Sequence, residues 1–273
     1  MGDDAGPFRR PVEWLALHRW ELLYYVVLIS LALGMRLWDL GSRAMHHDES
    51  LHAFYSWNLS EGFGYEHNPM MHGPFQIEAS AIVFRLLGDG EYTARLLYAI
   101  AGTALVLLPI GLRPWMGRLG AIIAATLLAF SPVMLYFSRF ARNDIIMAFW
   151  TLGLVVAMWR YLEEGKQRYL YVAAVLLALA FATKETAYLV TITLGGYLGL
   201  ALLLQSWPKV RPNIVLGQVS PPVALWHLGS SIVTAAYRLP QATRGSRGLD
   251  FLTLLFTLTL PMGAAAVSLF QDT

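Results

Sequence analysis

Long apolar runs alternate with short polar segments along most of the chain, and this pattern predicts membrane-spanning helices. A spanning helix needs about 20 mainly apolar residues, and seven runs approach or reach that length. The seven predicted spans comprise residues 22–37, 93–112, 119–137, 145–159, 169–182, 187–204 and 251–270. The pattern therefore predicts an all-α, polytopic membrane protein.

The composition supports this prediction, because 56% of the residues are hydrophobic and only 14% are charged. A water-soluble domain of 273 residues could not bury that much apolar surface in one core. The chain has no cysteine, which excludes disulfides, thiolate nucleophiles and cysteine zinc sites. A formal charge of +2 without a basic face gives no indication of nucleic-acid binding.

The 20 Lys and Arg residues predict which helix ends face the cytoplasm. Most of them fall in the N-terminal segment and in alternate loops, so residues 1–21 are predicted to be cytoplasmic. Residues 22–204, with a long outer loop at 41–92, then form one transmembrane module. Residues 205–248 form a basic cytoplasmic loop, in which residues 223–237 are predicted to lie along the anionic inner leaflet. The last domain, residues 249–273, contains the last predicted span.

With this orientation, three charged clusters fall on the same outer face. They comprise residues 41–92, 138–144 and 183–186. Short turns between apolar helices usually use Gly, Pro, Asn or Ser, yet two of these clusters are turns that carry Arg, Lys, Asp and Glu. Each turn alone could hold an ordinary solvated ion pair, Arg142 with Asp144 and Lys184 with Glu185. Their placement on one face favours a shared function.

The most informative polar segment is the pentapeptide His46-His47-Asp48-Glu49-Ser50, which follows the first span directly. An amphipathic segment comes next, with apolar residues at roughly helical spacing over 51–63. Asp48 is a candidate N-cap of that helix. A carboxylate at the membrane boundary, partly shielded from water, is better suited to act as a general base, and the two roles are compatible. A second apolar stretch in this loop, residues 76–87, is too short to span alone.

Five histidines share the outer loop with Asp48 and Glu49, and these groups could supply ligands for a divalent cation. They are His46, His47, His52, His67 and His72. Their spacing matches no dedicated metal motif, and His-Glu-x-x-His is absent from the sequence. We expect no required cofactor and leave a divalent cation open, with magnesium or manganese the commoner choice for phosphate chemistry.

An acid beside several cations at one membrane surface suits group transfer from a lipid-linked phosphate. The cations would hold the phosphate and stabilise the negative charge that grows as the sugar departs. A carboxylate would take the proton from an attacking hydroxyl group. The candidate cations are Arg139, Arg142, Lys184 and Arg95.

Several segments, in this order, resemble the GT-C glycosyltransferase superfamily, and especially protein O-mannosyltransferases and bacterial aminoarabinose transferases that use polyprenyl-phosphate sugars. The resemblance is carried by Asp48-Glu49-Ser50-Leu51-His52, His72-Gly73-Pro74-Phe75, residues 94–102, residues 138–144 and Lys184-Glu185. In that group an Asp-Glu pair opens the first outer loop, a His-Pro-Pro-Leu-like element follows, and an Arg-Leu-Leu segment begins the next span. Gly73 stands where the family element has its first Pro. The likeness covers about residues 20–205.

The resemblance implies a GT-C-like fold and an inverting hexosyltransferase with its active face outside the plasma membrane of a prokaryote. The donor would be a polyprenyl-phosphate sugar, and the acceptor a hydroxyl group on a glycan, lipid or protein. Catalysis would fall to Asp48, as general base, and to its neighbour Glu49. Contacts with the donor phosphate would fall to Arg95, Arg139, Arg142 and Lys184, and positioning roles to His72, Asp144 and Glu185. Family members are commonly twice as long, so we expect a fragment or a minimal module.

Two other functions fit the same residues. A non-catalytic protein that binds polyprenyl lipids, or one associated with a flippase, would use the same cations without needing Asp48. A secondary transporter could use Arg142, Asp144, Lys184 and Glu185 as a substrate or proton path. The charges gather at one face and no inverted repeat of broken helices is evident in the sequence, which disfavours the transporter.

Overall fold

The computed structural model describes residues 19–66, 71–210 and 245–271, and every regular element within these ranges is a helix. The helices are α1 (Arg19–Leu37), α2 (His47–Ser60), α3 (Phe75–Leu87), α4 (Glu91–Leu105), a 3₁₀ helix (Leu108–Leu112), α5 (Arg113–Phe130), α6 (Pro132–Ser138), α7 (Asn143–Glu164), α8 (Gln167–Phe181), α9 (Thr186–Val210) and α10 (Arg247–Gln271). The all-α prediction is therefore confirmed for the described residues. The first part of the predicted cytoplasmic segment, His67 and the predicted interfacial segment 223–237 lie outside them.

Four helical stretches among the described residues are long and apolar enough to cross a membrane. They are Arg19–Leu37, Glu91–Phe130, Asn143–Glu164 and Thr186–Gln205. Helix α8 is equally apolar in character but has only 15 residues. The protein is thus an integral membrane protein, while the number of seven spans stays a prediction.

The third predicted span, residues 119–137, is broken into two helices. Helix α5 ends at Phe130 and α6 begins at Pro132, with Ser131 in a non-helical conformation between them. Proline is favoured in the first turn of a helix because it lacks the N–H that would have no partner there. The side-chain oxygen of Ser131 accepts a hydrogen bond from the backbone N–H of Met134 at 3.5 Å, which caps α6.

A buried arginine fixes this break. Arg36, near the end of α1, donates to the backbone carbonyls of Leu128 and Ala129 at 3.2 and 3.3 Å. These carbonyls lie in the last turn of α5, where a cation is favoured by the helix dipole. The Nε of Arg36 also donates to the hydroxyl of Ser138 at 3.1 Å, at the end of α6. Arg36 therefore joins α1, α5 and α6 by hydrogen bonds, next to the polar turn (residues 139–142) that follows α6.

The chain divides into two compact units, Met1–Val156 and Ala157–Thr273. In the first, α1 packs against α5 through small residues that allow close approach, and α4 packs against the polar turn and the start of α7. The buried residues are Tyr25, Leu28, Ala32, Val106, Ala125 and Ala129 in one cluster, and Tyr98, Leu105, Ala141, Ile145 and Ile146 in the other. In the second unit, α8, α9 and α10 pack against one another.

The predicted outer loop contains two helices, α2 and α3, which pack against each other, and α3 also packs against α4. Helix α3 has 13 residues, in agreement with a stretch too short to span. Helices are therefore present in this loop, as expected, but in α2 the buried residues are the polar Glu49, His52 and Ser56, whereas the apolar Leu51 and Phe54 are exposed.

Candidate functional site

The pentapeptide forms the N-terminus of α2, and its cap is His46 rather than Asp48. The Nδ1 atom of His46 accepts a hydrogen bond from the backbone N–H of Asp48 at 3.3 Å. The Oε2 atom of Glu49 in return accepts one from the backbone N–H of His46 at 3.0 Å, which completes a capping box. The expectation of Asp48 as the N-cap was therefore wrong, and Asp48 is instead an acid in the first turn, where the helix dipole favours a negative charge.

Asp48 and Glu49 are neighbours in sequence but lie in opposite environments. Consecutive side chains on a helix point about 100° apart, so two adjacent acids cannot share one face. The Asp48 side chain is 37% exposed, whereas that of Glu49 is 0% exposed. Solvent or a substrate can therefore reach Asp48, whereas neither can reach Glu49.

The buried Glu49 carboxylate is held by donors from three separate segments. Arg95 of α4 approaches Oε1 with its Nε at 2.8 Å and Oε2 with its Nη2 at 3.0 Å. Arg43 donates to Oε2 at 3.0 Å, and the backbone N–H of Ala141 donates to Oε1 at 3.0 Å. Burial alone would raise the pKa of Glu49, but these hydrogen bonds outweigh it and hold the pKa at about 2. Glu49 is thus a structural anchor that is charged at neutral pH and is not placed to accept a proton from a substrate.

Arg95 is almost completely buried, with 1% of its side chain exposed. Besides Glu49, it donates to the carbonyls of Leu40 and Arg43, both at 2.9 Å, and of Ala44 at 3.5 Å. A guanidinium has five N–H groups, and all five of these have acceptors. A contact with the donor phosphate would have to break this network, so the geometry favours a structural role for Arg95.

The exposed Asp48 faces a second pair of charges in the turn after α6. The Nη1 atom of Arg142 lies 3.2 Å from Oδ2 of Asp48, and its Nε lies 3.7 Å from Oδ2 of Asp144. The pair expected between Arg142 and Asp144 is therefore present, and Asp48 joins it. The three side chains are each about one-third exposed, at 36%, 37% and 33% for Arg142, Asp48 and Asp144. Together they form a carboxylate–guanidinium–carboxylate cluster that is open to a ligand.

Arg139 lies on another side of the same turn, in a groove of about 320 Å³. It donates to the carbonyl of Met35, in the last turn of α1, at 2.6 Å and to that of Asp39, beyond the end of α1, at 3.2 Å. Asp39 has a φ of 50°, the left-handed conformation that often ends a helix and that Asp tolerates better than most residues. In the described part of the chain, Arg139 has no carboxylate partner. The groove is lined by Asp39, Leu40, Ser42, Arg43, Arg95, Pro132, Leu135, Tyr136 and Arg139.

Arg43 is a site residue that the sequence did not indicate. Its guanidinium lies 5.3 Å from the ring centre of Phe140 and 6.0 Å from that of Tyr136, and these two rings stack on each other at 5.4 Å. Both rings are more than 90 residues away along the chain, and Arg43 belongs to no motif. No local pattern could have revealed this arrangement.

A series of contacts connects the groove to Asp48, and we call these residues the polar strip: Arg139, Arg43, Phe140, His46, Asp48 and Arg142. The ring of His46 lies 5.6 Å from that of Phe140, on which Arg43 also packs. His46 in turn contacts the backbone of Asp48, whose carboxylate pairs with Arg142. The groove and the exposed acid are therefore connected within the first unit through the buried ring of Phe140.

The remaining predicted residues lie elsewhere. His72 precedes α3 and has a φ of 63°, a left-handed conformation that His adopts more readily than most side chains. Lys184 and Glu185 lie in the turn between α8 and α9 in the second unit, and their roles stay predictions. Among the described residues, no group of three or more His, Asp or Glu side chains is arranged to hold a metal ion. A divalent cation therefore remains an open expectation.

Helical membrane spans with charged turns at their ends define a polytopic membrane protein. Residues 71–226, more than half of the chain, match the family model for dolichyl-phosphate-mannose-protein mannosyltransferase. The chain belongs to this family, and the resemblance seen in the sequence is confirmed. The match includes Arg95, Arg139, Arg142 and Lys184 but begins after Asp48. No curated protein matches the chain.

Proposed function

We propose that the protein transfers a hexose from a polyprenyl-phosphate donor to a hydroxyl acceptor on the outer face of the plasma membrane of a prokaryote. Family membership supports a mannosyltransferase-type activity that depends on a polyprenyl-phosphate sugar. The observation that carries the proposal is the ion pair between Asp48 and Arg142. It combines an accessible carboxylate with an accessible guanidinium, whereas the neighbouring acid Glu49 is buried and fully bonded.

In this proposal the reaction is a single displacement that inverts the anomeric carbon. The acceptor oxygen forms a bond to that carbon while the bond to the phosphate oxygen breaks, and the polyprenyl phosphate leaves. Asp48 takes the proton of the acceptor hydroxyl. Arg142 stabilises the negative charge that grows on the departing phosphate, because a guanidinium binds phosphate oxygens strongly.

Other residues would support these two. Asp144 holds Arg142 from its other side, and Glu49 with Arg95 anchors the start of α2. Lys184 remains a proposed phosphate contact, and His72 and Glu185 remain proposed positioning residues. The polyprenyl tail would lie among the membrane helices, which explains chemistry at the membrane boundary. The acceptor would be a glycan, a lipid or a protein.

The test is transfer of radiolabelled sugar from a panel of polyprenyl-phosphate donors, by membranes that contain the protein. Asp48→Asn is expected to lower transfer by about 10²- to 10⁴-fold, the usual contribution of a general base, and to retain donor binding. Asp89→Asn is the matched control, because Asp89 is an exposed acid of the same outer loop. It should transfer sugar at the wild-type rate.

Two results would contradict the proposal. Equal transfer by wild type and Asp48→Asn would remove Asp48 from catalysis. Donor binding without transfer by either form, across the whole panel, would favour the alternative of a non-catalytic polyprenyl-lipid-binding or flippase-associated protein.

A further inference from the structure

We infer that an anionic phospholipid binds at the N-terminal end of α1, where Arg113 and Arg118 of α5 surround the buried carboxylate of Glu21. The Asp48 site follows the opposite end of α1. The orientation predicted from the Lys and Arg residues assigns the N-terminal end to the inner leaflet, which carries the anionic lipids. The inferred site is therefore separate from the residues of sugar transfer, and binding at it does not depend on that reaction.

Glu21 lies in the first turn of α1, and its side chain is only 3% exposed. Its Oε2 atom lies 3.1 Å from Nη2 of Arg113 and 2.9 Å from Nε of Arg118. Arg113 begins α5, and Arg118 follows a break in this helix at Gly117, whose φ of 72° is the left-handed conformation that favours glycine. The two arginines therefore approach one carboxylate from the two sides of the break. A buried acid in a membrane helix is costly and thus indicates a function.

The cluster retains hydrogen-bonding capacity for a further group. Within the described residues, Oε2 of Glu21 accepts no aligned hydrogen bond, although both guanidinium groups lie close to it. The hydroxyl of Tyr25, one helical turn along α1, is likewise buried and has no partner in that part of the chain. Buried polar atoms in proteins are nearly always hydrogen-bonded. The arginines thus hold Glu21 by charge, and their N–H groups remain available to the oxygens of a phosphate.

The exposed part of the cluster is cationic. The side chain of Arg118 is 55% exposed and that of Arg113 is 23% exposed, whereas the only carboxylate between them is buried. Arg19, also exposed, adds a third cation in the first turn of α1. Three arginines around one glutamate leave two positive charges, which favour an anionic headgroup over a zwitterionic one. The shared carboxylate also restricts both guanidinium groups before a ligand arrives, which lowers the entropy cost of binding.

The surface beside the arginines is aromatic and apolar, as at a membrane interface. Trp115 and Met116, between the two arginines in sequence, and Leu119, directly after them, are all exposed. Trp20 is exposed too, and the guanidinium of Arg19 lies 5.5 Å from its ring centre. Tryptophan favours the boundary between headgroups and acyl chains. A free phosphate ion would leave this apolar surface in water, whereas a phospholipid would cover it with its acyl chains.

The experiment measures binding of phosphatidylglycerol to the full chain in mild detergent by native mass spectrometry, which resolves each bound lipid by its mass. No sugar donor or acceptor is present. Arg118→Gln removes the more exposed guanidinium and should raise the Kd of the first bound lipid about fivefold, as expected for one basic residue near an anionic headgroup. Met116→Glu adds a negative charge at an exposed position beside the arginines and should also raise this Kd. Arg118→Lys retains the charge and should recover most of the affinity.

Arg168→Gln is the matched control. It removes one exposed arginine on the same predicted side of the membrane, in the second unit, where the side chain is 62% exposed. Its Kd should equal that of the wild type. Thermal unfolding shows that each variant is folded, and phosphatidylglycerol should raise the Tm of the wild type more than that of Arg118→Gln, because a ligand stabilises the state that binds it. Equal weakening by Arg168→Gln would indicate diffuse attraction to charge and would overturn the inference.

Competition identifies the ligand. Equal affinity for phosphatidylcholine would show an apolar surface that does not recognise the headgroup. Displacement by inorganic phosphate at equal concentration would show a free-ion site, and tighter binding of polyprenyl phosphate than of phosphatidylglycerol would assign the cluster to the donor lipid. Each of these results overturns the inference, as does wild-type affinity in a folded Arg118→Gln variant or, if that variant does not fold, in Met116→Glu.

Discussion

Glu49→Gln should destabilise the fold far more than Asp48→Asn, although both changes convert an acid to its amide at adjacent positions. The amide at position 49 would leave the buried guanidinium of Arg95 without its counter-ion. Breaking a buried ion pair by removal of one partner typically costs about 3–5 kcal/mol, because the remaining charge stays desolvated. Asp48 pairs with Arg142 at a site one-third exposed to solvent, where such a pair is worth at most about 1 kcal/mol.

The assay is chemical denaturation of the purified protein in mild detergent, followed by intrinsic fluorescence of its nine tryptophans. The double variant Glu49→Gln/Arg95→Met tests the cause, since removal of both charges should cost less than the sum of the single changes. A loss of stability for Glu49→Gln no larger than that for Asp48→Asn would refute the assignment of Glu49 as the buried anchor. Additive effects in the double variant would refute the pairing with Arg95.

Two further predictions concern stability. The pKa of Glu49 is depressed to about 2 in the folded protein, below its ordinary value of about 4.3, so its stabilising contribution is complete above about pH 4.3 and is lost as the pH falls toward 2. Unfolding titrations between pH 7 and 3 should show this loss in the wild type and a smaller one in Glu49→Gln; equal slopes would contradict it. Gly102→Ala would place a Cβ 2.0 Å from the hydroxyl oxygen of Ser138 and should cost about 1–3 kcal/mol. Gly34→Ala, where nothing lies within 4 Å, is the matched control, and an equal cost for both would argue against this close packing.

The sequence predicted the helical class and the polar turns, because both follow from local patterns of residue type. It also contained the signal for the break after Phe130, a Ser-Pro pair that favours the start of a new helix, although the apolar run conceals it. It could not distinguish the roles of Asp48 and Glu49. Which of two adjacent acids is buried depends on Arg95, 46 residues further along the chain.

The same limitation applies to the cations. The sequence alone does not distinguish a basic residue that is buried and structural from one that is exposed and can bind a ligand. Arg95 and Arg142 both fit a phosphate contact by position, yet Arg95 is buried with five acceptors and Arg142 is one-third exposed. Only the packing of the outer loop against α4 separates them.

The buried anchor also sets the geometry of the exposed pair. Glu49 accepts a hydrogen bond from the backbone of Ala141, and each of these residues directly adjoins one member of the ion pair, Asp48 and Arg142. One bond in the interior therefore fixes two backbone segments so that the accessible acid and the accessible cation meet at 3.2 Å. A strong, water-free contact is suited to this task, because a solvated pair alone would not order two segments far apart in sequence. The two adjacent acids thus have different roles: the buried Glu49 fixes the geometry of the site, and the exposed Asp48 remains accessible to a substrate.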